Sequence, residues 1–260
     1  MGRVRIVTAN VNGVRAAARK GLPALLSDLD ADLVCLQETR AFASQAPSLL
    51  PGYRAHWHPA VRPGYSGVGV LVRQSGPFAD ATVEDGLGVS EVDAEGRVQH
   101  VRLGPLSVLN VYVPSGTTGD ARQSVKMAVL AHLTHLVERL VAADRDVLLV
   151  GDLNVAHQNV DLTNWRSNQT TSGFLPEERV WFGDLLDRGL HDVVRELAGP
   201  DTPVYTWWSS RSGARARNVG WRLDHQLASR ALARRARAFE VRREPAVSDH
   251  APLLVTYDAG

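Results

Sequence analysis

The 260-residue sequence predicts an α/β protein built as a two-sheet sandwich with outer helices. Three features carry that expectation. Short apolar or β-branched runs recur along the whole chain, the helix-like stretches between them are few, and their spacing is too uneven for the regular alternation of a Rossmann sheet or a TIM barrel. No repeat, low-complexity tract or break in composition marks a second unit, so residues 1–260 are expected to form one domain.

In chain order the strand-like runs are "RVRIVTA", "ADLVCLQ", "SGVGVLV", "VQHVRLG", "LSVLNVYV", "DVLLVGD", "RLDHQLA" and "APLLVTY". The clearest helical pattern covers roughly 120–143, where Val125, Val129, Leu133, Leu136, Val137 and Leu140 recur at three- and four-residue steps and predict one apolar stripe. A second helix is expected over "LPEERVWFGDLLDRG". Pro176 suits its first position, Glu177 and Glu178 complement its dipole, and Gly189 closes it.

Bulk properties restrict function less sharply. No apolar run is long enough to cross a bilayer, and "MGRVRIVTAN" lacks the apolar core and cleavage site of a secretory signal, so a soluble, cytoplasmic protein is expected. Cys35 is the single cysteine and lies inside an apolar run, which excludes an intrachain disulfide and suits a small core residue. A net charge of +1 does not announce a polyanionic partner. Any such surface must be local, and the arginines of "RSGARARNVGWR" and "RALARRARAFEVRR" are the places to look, although a GC-rich genome would also favour arginine over lysine.

The chemistry concentrates where strands end. Asn10, Glu38, Tyr112, Asp152 and Asn154 close apolar runs, Asp224 sits in "GWRLDHQLAS", and Asp249 and His250 immediately precede "APLLVTY". If those ends share one rim, the carboxylates repel unless a cation intervenes, and hard oxygen ligands favour Mg²⁺ or Mn²⁺ over zinc. Period two in an extended segment puts Asp152 and Asn154 on one side, where a carboxylate can take a proton from a water that the carboxamide positions. A serine triad is not expected, because Ser248 is too near His250 in sequence and no G-x-S-x-G elbow is present. The pairs His132/His135 and His56/His58 read as surface or packing positions.

The motifs "NVNGVRA", "LQETR", "GYSGVGVL", "NVYVPSG", "GDLNVAH", "SGFLPEER", "YTWW", "NVGWRLDH" and "SDHAPL" resemble, in order and over essentially the whole chain, the exonuclease III family of apurinic/apyrimidinic endonucleases, within the endonuclease/exonuclease/phosphatase superfamily. The resemblance implies a deoxyribonuclease I-like, four-layered α/β sandwich with the site at one edge of both sheets. It implies Glu38 as main Mg²⁺ ligand with Asn10 and Asp249 beside it, Asp152 and Asn154 handling the attacking water, Tyr112 on the phosphate, and His250 oriented by Asp224. Trp207, Trp221 and Leu223 match positions that form a pocket for a sugar lacking its base, and such a pocket favours abasic DNA, which costs less to extrude.

Gly13, Arg15, Lys20, Asn168, Arg211, Arg215 and Arg217 are the expected contacts to duplex DNA. Asn12 stands where some members carry an aspartate for a second metal, and Ser115 and Thr171 replace two asparagines of those members. The implied activity is Mg²⁺-dependent cleavage 5′ to abasic sites, with 3′→5′ exonuclease and 3′-phosphodiesterase activity, by a monomer acting on double-stranded DNA. The alternatives are a superfamily phosphodiesterase acting on RNA or a small phosphorylated molecule, and a catalytically silent abasic-DNA-binding homologue.

Overall fold

A computed structural model describes residues 2–259 of the chain. Among them, one sheet has the order β11-β12-β1-β2-β4-β3 and the other β5-β6-β7-β8-β10-β9. The first is built from β1 (Arg3–Asn10), β2 (Leu33–Gln37), β3 (Tyr53–His58), β4 (Val68–Arg73), β11 (Ala236–Val241) and β12 (Leu253–Asp258). The second holds β5 (Thr82–Asp85), β6 (Val98–Leu103), β7 (Leu106–Tyr112), β8 (Asp146–Asp152), β9 (Leu190–Asp192) and β10 (Asp224–Ser229). Each sheet is mixed: β1–β2 and β7–β8 pair in parallel and the other neighbours antiparallel.

The helices are α1 (Val14–Arg19), α2 (Leu22–Leu29), α3 (Ser90–Asp93), α4 (Asp120–Ala142), α5 (Pro176–Asp187), α6 (Val193–Ala198) and α7 (Arg230–Ala233). Alternation along the central strands explains the layering. In β2, Leu33 and Cys35 face the core between the sheets while Val34 and Leu36 pack under α1 and α2. In β8, Leu148 and Val150 face inward while Val147 and Leu149 pack against α4 and α5. Strands covered on both faces read as unbroken apolar runs, which is why these segments showed no alternation. The result is helix, sheet, sheet, helix: the expected four-layered α/β sandwich.

The long helix departs from its expected stripe. Val125 is 41% exposed, whereas Lys126 is completely buried beside Val129, Leu130 and Leu133. The charged residue displaces the valine because it has a partner: Glu178 of α5 receives its ammonium at 2.6 Å. Glu178 is therefore an interior anion rather than only a complement to the helix dipole. Pro176 and Gly189 behave as expected, the one opening α5 and the other following its last turn at φ 95°.

A second buried ionic group holds the segment that carries the site's apolar wall. Arg222 lies between Trp221 and Leu223, bonds Asp161 through Nε at 2.8 Å and Asp192 through Nη2 at 2.7 Å, and is fully buried. Arg195 closes the network on Asp161 at 2.5 Å. Burial alone would raise the carboxyl pKa of Asp161 and Asp192, but the facing Arg222 guanidinium outweighs it and holds both below the ordinary carboxylate range.

A depressed folded-state pKa contributes stability above the unfolded value, about 3.9 for aspartate, and that contribution is lost as pH falls through the folded value. Asp161→Asn is accordingly expected to lose about 3–5 kcal/mol at pH 7, because it strands a buried guanidinium. Its unfolding free energy should also fall less steeply below pH 4 than the parent's; urea titrations at pH 7 and pH 3 check both. Parent-like stability at pH 7 would show that the network carries no such energy.

Candidate active site

The parallel pair β7–β8 and its antiparallel neighbour β10 fix the centre of the site by register alone. Tyr112 stands opposite Asp152 on one side, and Asp224 stands opposite Asp152 on the other. In the other sheet β1 ends at Asn10, Glu38 directly follows β2, and Asp249 and His250 lead into β12, which runs antiparallel to β1. All these ends meet at one rim. There they line a cavity of about 380 Å³, whose walls combine the polar Asn10, Glu38, Tyr112, Asp152, Asn154, Asp249 and His250 with the apolar Trp207, Trp221 and Leu223. Asp224 does not line it; fully buried, it lies behind His250.

Backbone geometry makes this possible at two points. Gly151 has φ 142°, and a Cβ there would lie 1.9 Å from the Val111 carbonyl oxygen, so only glycine lets β8 approach β7 this closely. Asn154 then adopts φ 51°, a left-handed conformation that asparagine tolerates. This corrects the extended-segment reading of Asp152 and Asn154. They meet through a turn in which Asp152 Oδ1 accepts the Asn154 backbone N–H at 2.9 Å and Oδ2 accepts its Nδ2 at 3.2 Å.

Asp152 also accepts Asn10 Nδ2 at 2.8 Å and is 1% exposed. Burial is the main cause that pushes its pKa up, to about 7, against the attraction of His250. His250 Nδ1 bonds Asp224 Oδ2 at 2.8 Å, and its Nε2 lies 3.8 Å from Asp152 Oδ2. Burial would lower the imidazole pKa, yet Asp224 and Asp152 outweigh it and lift it to about 10, which favours the protonated ring between these two side chains. Asp152, Asp224 and His250 place ligand atoms within 4.8 Å of one another, a group with the composition to hold a metal ion.

Glu38 sits at φ 51° immediately after β2. One carboxylate oxygen accepts the Tyr112 hydroxyl and the other accepts Arg40 Nη2 at 3.0 Å. Burial, reinforced by Glu38, raises the Tyr112 phenol well above its ordinary range, so it remains a donor. Asp249 accepts Asn12 Nδ2 at 2.8 Å and Trp207 Nε1 at 3.1 Å. Burial opposes its ionisation, but His250 and these donors prevail and lower its pKa. Glu38, Asp249 and the Asn10 carboxamide all line the cavity and offer oxygen ligands of the kind that suits a hard divalent cation. The apolar wall is ordered by pairing: Trp207 bridges both Trp221 and His250, and the two indoles meet edge to face at 6.4 Å.

The residues expected to touch DNA lie outside this cavity. Gly13 and Arg15 border a neighbouring depression with Arg19 and Arg40, and Lys20 is exposed at the end of α1. Arg211 and Arg217 are exposed, and Asn168 bonds the Asn164 carbonyl. Arg215 turns inward instead: its guanidinium donates to the carbonyls of Ser248 and Arg243 and stacks on Trp208, bracing the segment that carries Asp249 and His250.

Sequence reasoning missed Arg97, which is 1% exposed, lies 4.7 Å over the Tyr112 ring and donates to the Tyr112 carbonyl at 3.0 Å. Nothing in "GRVQHV" signals that contact. Arg40 was readable, two residues beyond Glu38 in "LQETR".

The model of the endonuclease/exonuclease/phosphatase family matches residues 7–250. An exodeoxyribonuclease of Bacillus subtilis is 36% identical over 255 residues, covering 96% of this chain and 98% of that protein. The DNA repair nuclease APEX1 of Danio rerio is 34% identical, covering 97% of this chain and 81% of the relative. Among solved structures, the apurinic/apyrimidinic endonuclease of Leishmania major superposes with a TM-score of 0.90 at 28% identity, over 99% of this chain and 88% of the other. With a family match across nearly the whole chain and a sandwich rim that gathers the motif residues, the chain belongs to the endonuclease/exonuclease/phosphatase family.

Proposed function

We propose that the protein is a DNA repair nuclease that hydrolyses the phosphodiester 5′ to an abasic site, leaving a 3′-hydroxyl, and that it also trims 3′ ends. One observation carries this reading: a single cavity joins the polar row Tyr112–Asp152–His250 to the apolar wall of Trp207, Trp221 and Leu223. Phosphodiester hydrolysis needs the first, and a baseless sugar fits the second. The relatives named for exodeoxyribonuclease and DNA repair activities support it.

In this mechanism Asp152 accepts the proton of a water held by Asn154, whose Nδ2 is committed to Asp152 and to the Val113 carbonyl at 2.8 Å, leaving its Oδ1 for the water. The water oxygen attacks phosphorus. The bond from phosphorus to the 3′-oxygen breaks with its electron pair passing to that oxygen, which takes a proton from solvent. The His250 imidazolium and the Tyr112 hydroxyl donate to the non-bridging oxygens as charge grows there. Glu38, with Asn10 and Asp249, would hold a divalent cation of the Mg²⁺ or Mn²⁺ type, which would supply compensation for the negative charge of the reacting phosphate. The Asp152/Asp224/His250 group is not the cation site in this reading, because the imidazolium already compensates its two carboxylates.

In this reading the exposed Arg15, Lys20, Arg211 and Arg217 contact the duplex backbone, with Asn168 and the Gly13 amide beside them. Arg215 acts through the loop it braces. A monomer suffices, since every residue of the mechanism comes from one chain.

A duplex oligonucleotide with a stable abasic analogue tests the reading. Cleavage on the 5′ side with Mg²⁺ is expected, abolished by chelation and lowered roughly 10²–10⁴-fold by Asp152→Asn. Undiminished cleavage in that variant, or faster turnover of RNA or a small phosphate ester, would reject it. Trp221→Ala should weaken the preference for abasic over intact duplex while sparing 3′-end trimming. Arg211→Ala should weaken binding alike across sequences and reduce the slope of log affinity against log salt by about 1; an unchanged slope would remove Arg211 from the interface.

A further inference from the structure

One interior ion pair touches both halves of the cavity without lining it. Lys126 and Glu178 are each 0% exposed and 2.6 Å apart. The Lys126 ammonium also donates to the carbonyl oxygen of Asn154 at 2.7 Å. Glu178 accepts the backbone N–H groups of Gly173 at 2.6 Å and Leu175 at 3.0 Å, and the Ser172 hydroxyl at 3.2 Å. Gly173 in turn accepts the Ala156 N–H at 2.7 Å, and a Cβ on it would meet the Trp221 ring at 3.3 Å. Two loops are thus tied to one pair: the turn that presents the Asn154 carboxamide, and the 172–175 turn that backs the apolar wall.

Joining α4 to α5 does not require charge. Two apolar side chains of similar volume would do so at equal or lower cost, because taking both ions out of water is expensive. What apolar residues cannot supply is a donor for a carbonyl and an acceptor for two amides. The Asn154 carbonyl belongs to a residue held at φ 51°, and the ammonium fixes the peptide that follows it, and with it the direction of the carboxamide.

We propose that Lys126 is a positioning residue for turnover, acting through the Asn154 carbonyl, and that Glu178 both pairs with Lys126 and holds the 172–175 segment against Trp221. The proposal rests on the nuclease reading above for its kinetic consequences and on geometry alone for its effect on the loop.

The test compares the parent with Lys126→Met, Lys126→Gln and the apolar pair Lys126→Met/Glu178→Leu, with thermal melting alongside kinetics on abasic duplex. Lys126→Met, which keeps the volume and removes the donor, should lower kcat about 30-fold with KM within twofold, since small misplacements of a positioned group cost up to about 100-fold. Lys126→Gln keeps an N–H donor and should stay within threefold of the parent. The double variant should melt at or above the single methionine variant, yet keep the low kcat and raise KM about fivefold. Parent-like kcat in Lys126→Met, equal losses in the methionine and glutamine variants, or recovered turnover in the double variant would overturn the proposal.

Amide hydrogen exchange of the 153–156 segment, faster in Lys126→Met and parent-like in Lys126→Gln, gives an arm that needs no substrate. If the parent fails to cleave abasic duplex, the nuclease reading falls while this arm still decides the role of Lys126; unchanged exchange in Lys126→Met would sink it. Where a single variant does not fold, the double variant carries both arms.

Discussion

Two acidic side chains, Asp152 and Asp224, stand directly opposite each other in neighbouring strands with almost no access to water, and His250, whose raised pKa favours its protonated form, faces both. Without it one of them would have to take up a proton, and the acceptor of the proposed mechanism would be lost. The rest of the rim is arranged around this compensated group. Gly151 admits the close approach of β7 that brings Tyr112 alongside, Asn10 and Asn154 donate to Asp152, and Trp207 bridges from the apolar wall to His250.

That arrangement separates two electrostatic tasks. The inner group is nearly closed to solvent and is faced by His250. Glu38 and Asp249 face the cavity, where they are met by hydrogen bonds from Tyr112, Asn12, Trp207 and Ser248 and by the exposed guanidinium of Arg40. Such carboxylates can exchange neutral or weakly bound donors for a divalent ion at modest cost. The tightly paired inner group cannot do so without first giving up its imidazolium. In the proposed mechanism, the division of labour between a fixed proton acceptor and an exchangeable cation site follows from burial, not from the identity of the side chains.

Much of this was legible in the sequence, for physical reasons that also set the limit. Central strands such as β2 and β8 are buried on both faces, so their apolar runs announced them, and the polar residues that ended those runs were conspicuous. Edge strands were not legible. "YRAHWH", "TVED" and "ARAFEV" carry half-exposed or charged positions because an edge faces solvent on one side, and the last of them lay inside an arginine-rich stretch. The helix from Asp120 was legible but its face was not. Val125 fitted the apolar stripe, and only the distant Glu178 makes Lys126 the buried residue. Arg97, Arg215 and Arg222 look alike in sequence to the exposed Arg211 and Arg217, since what consumes a guanidinium is a carbonyl or carboxylate far away along the chain.

The protonation state of His250 tests the central claim most directly. In protein labelled with ¹⁵N-histidine and assigned through His250→Gln, both ring nitrogens of His250 should report bound protons at pH 7.5 and keep them beyond pH 9. A ring that is neutral at pH 7.5, with one unprotonated nitrogen, would contradict the account, because Asp152 and Asp224 would then face each other uncompensated.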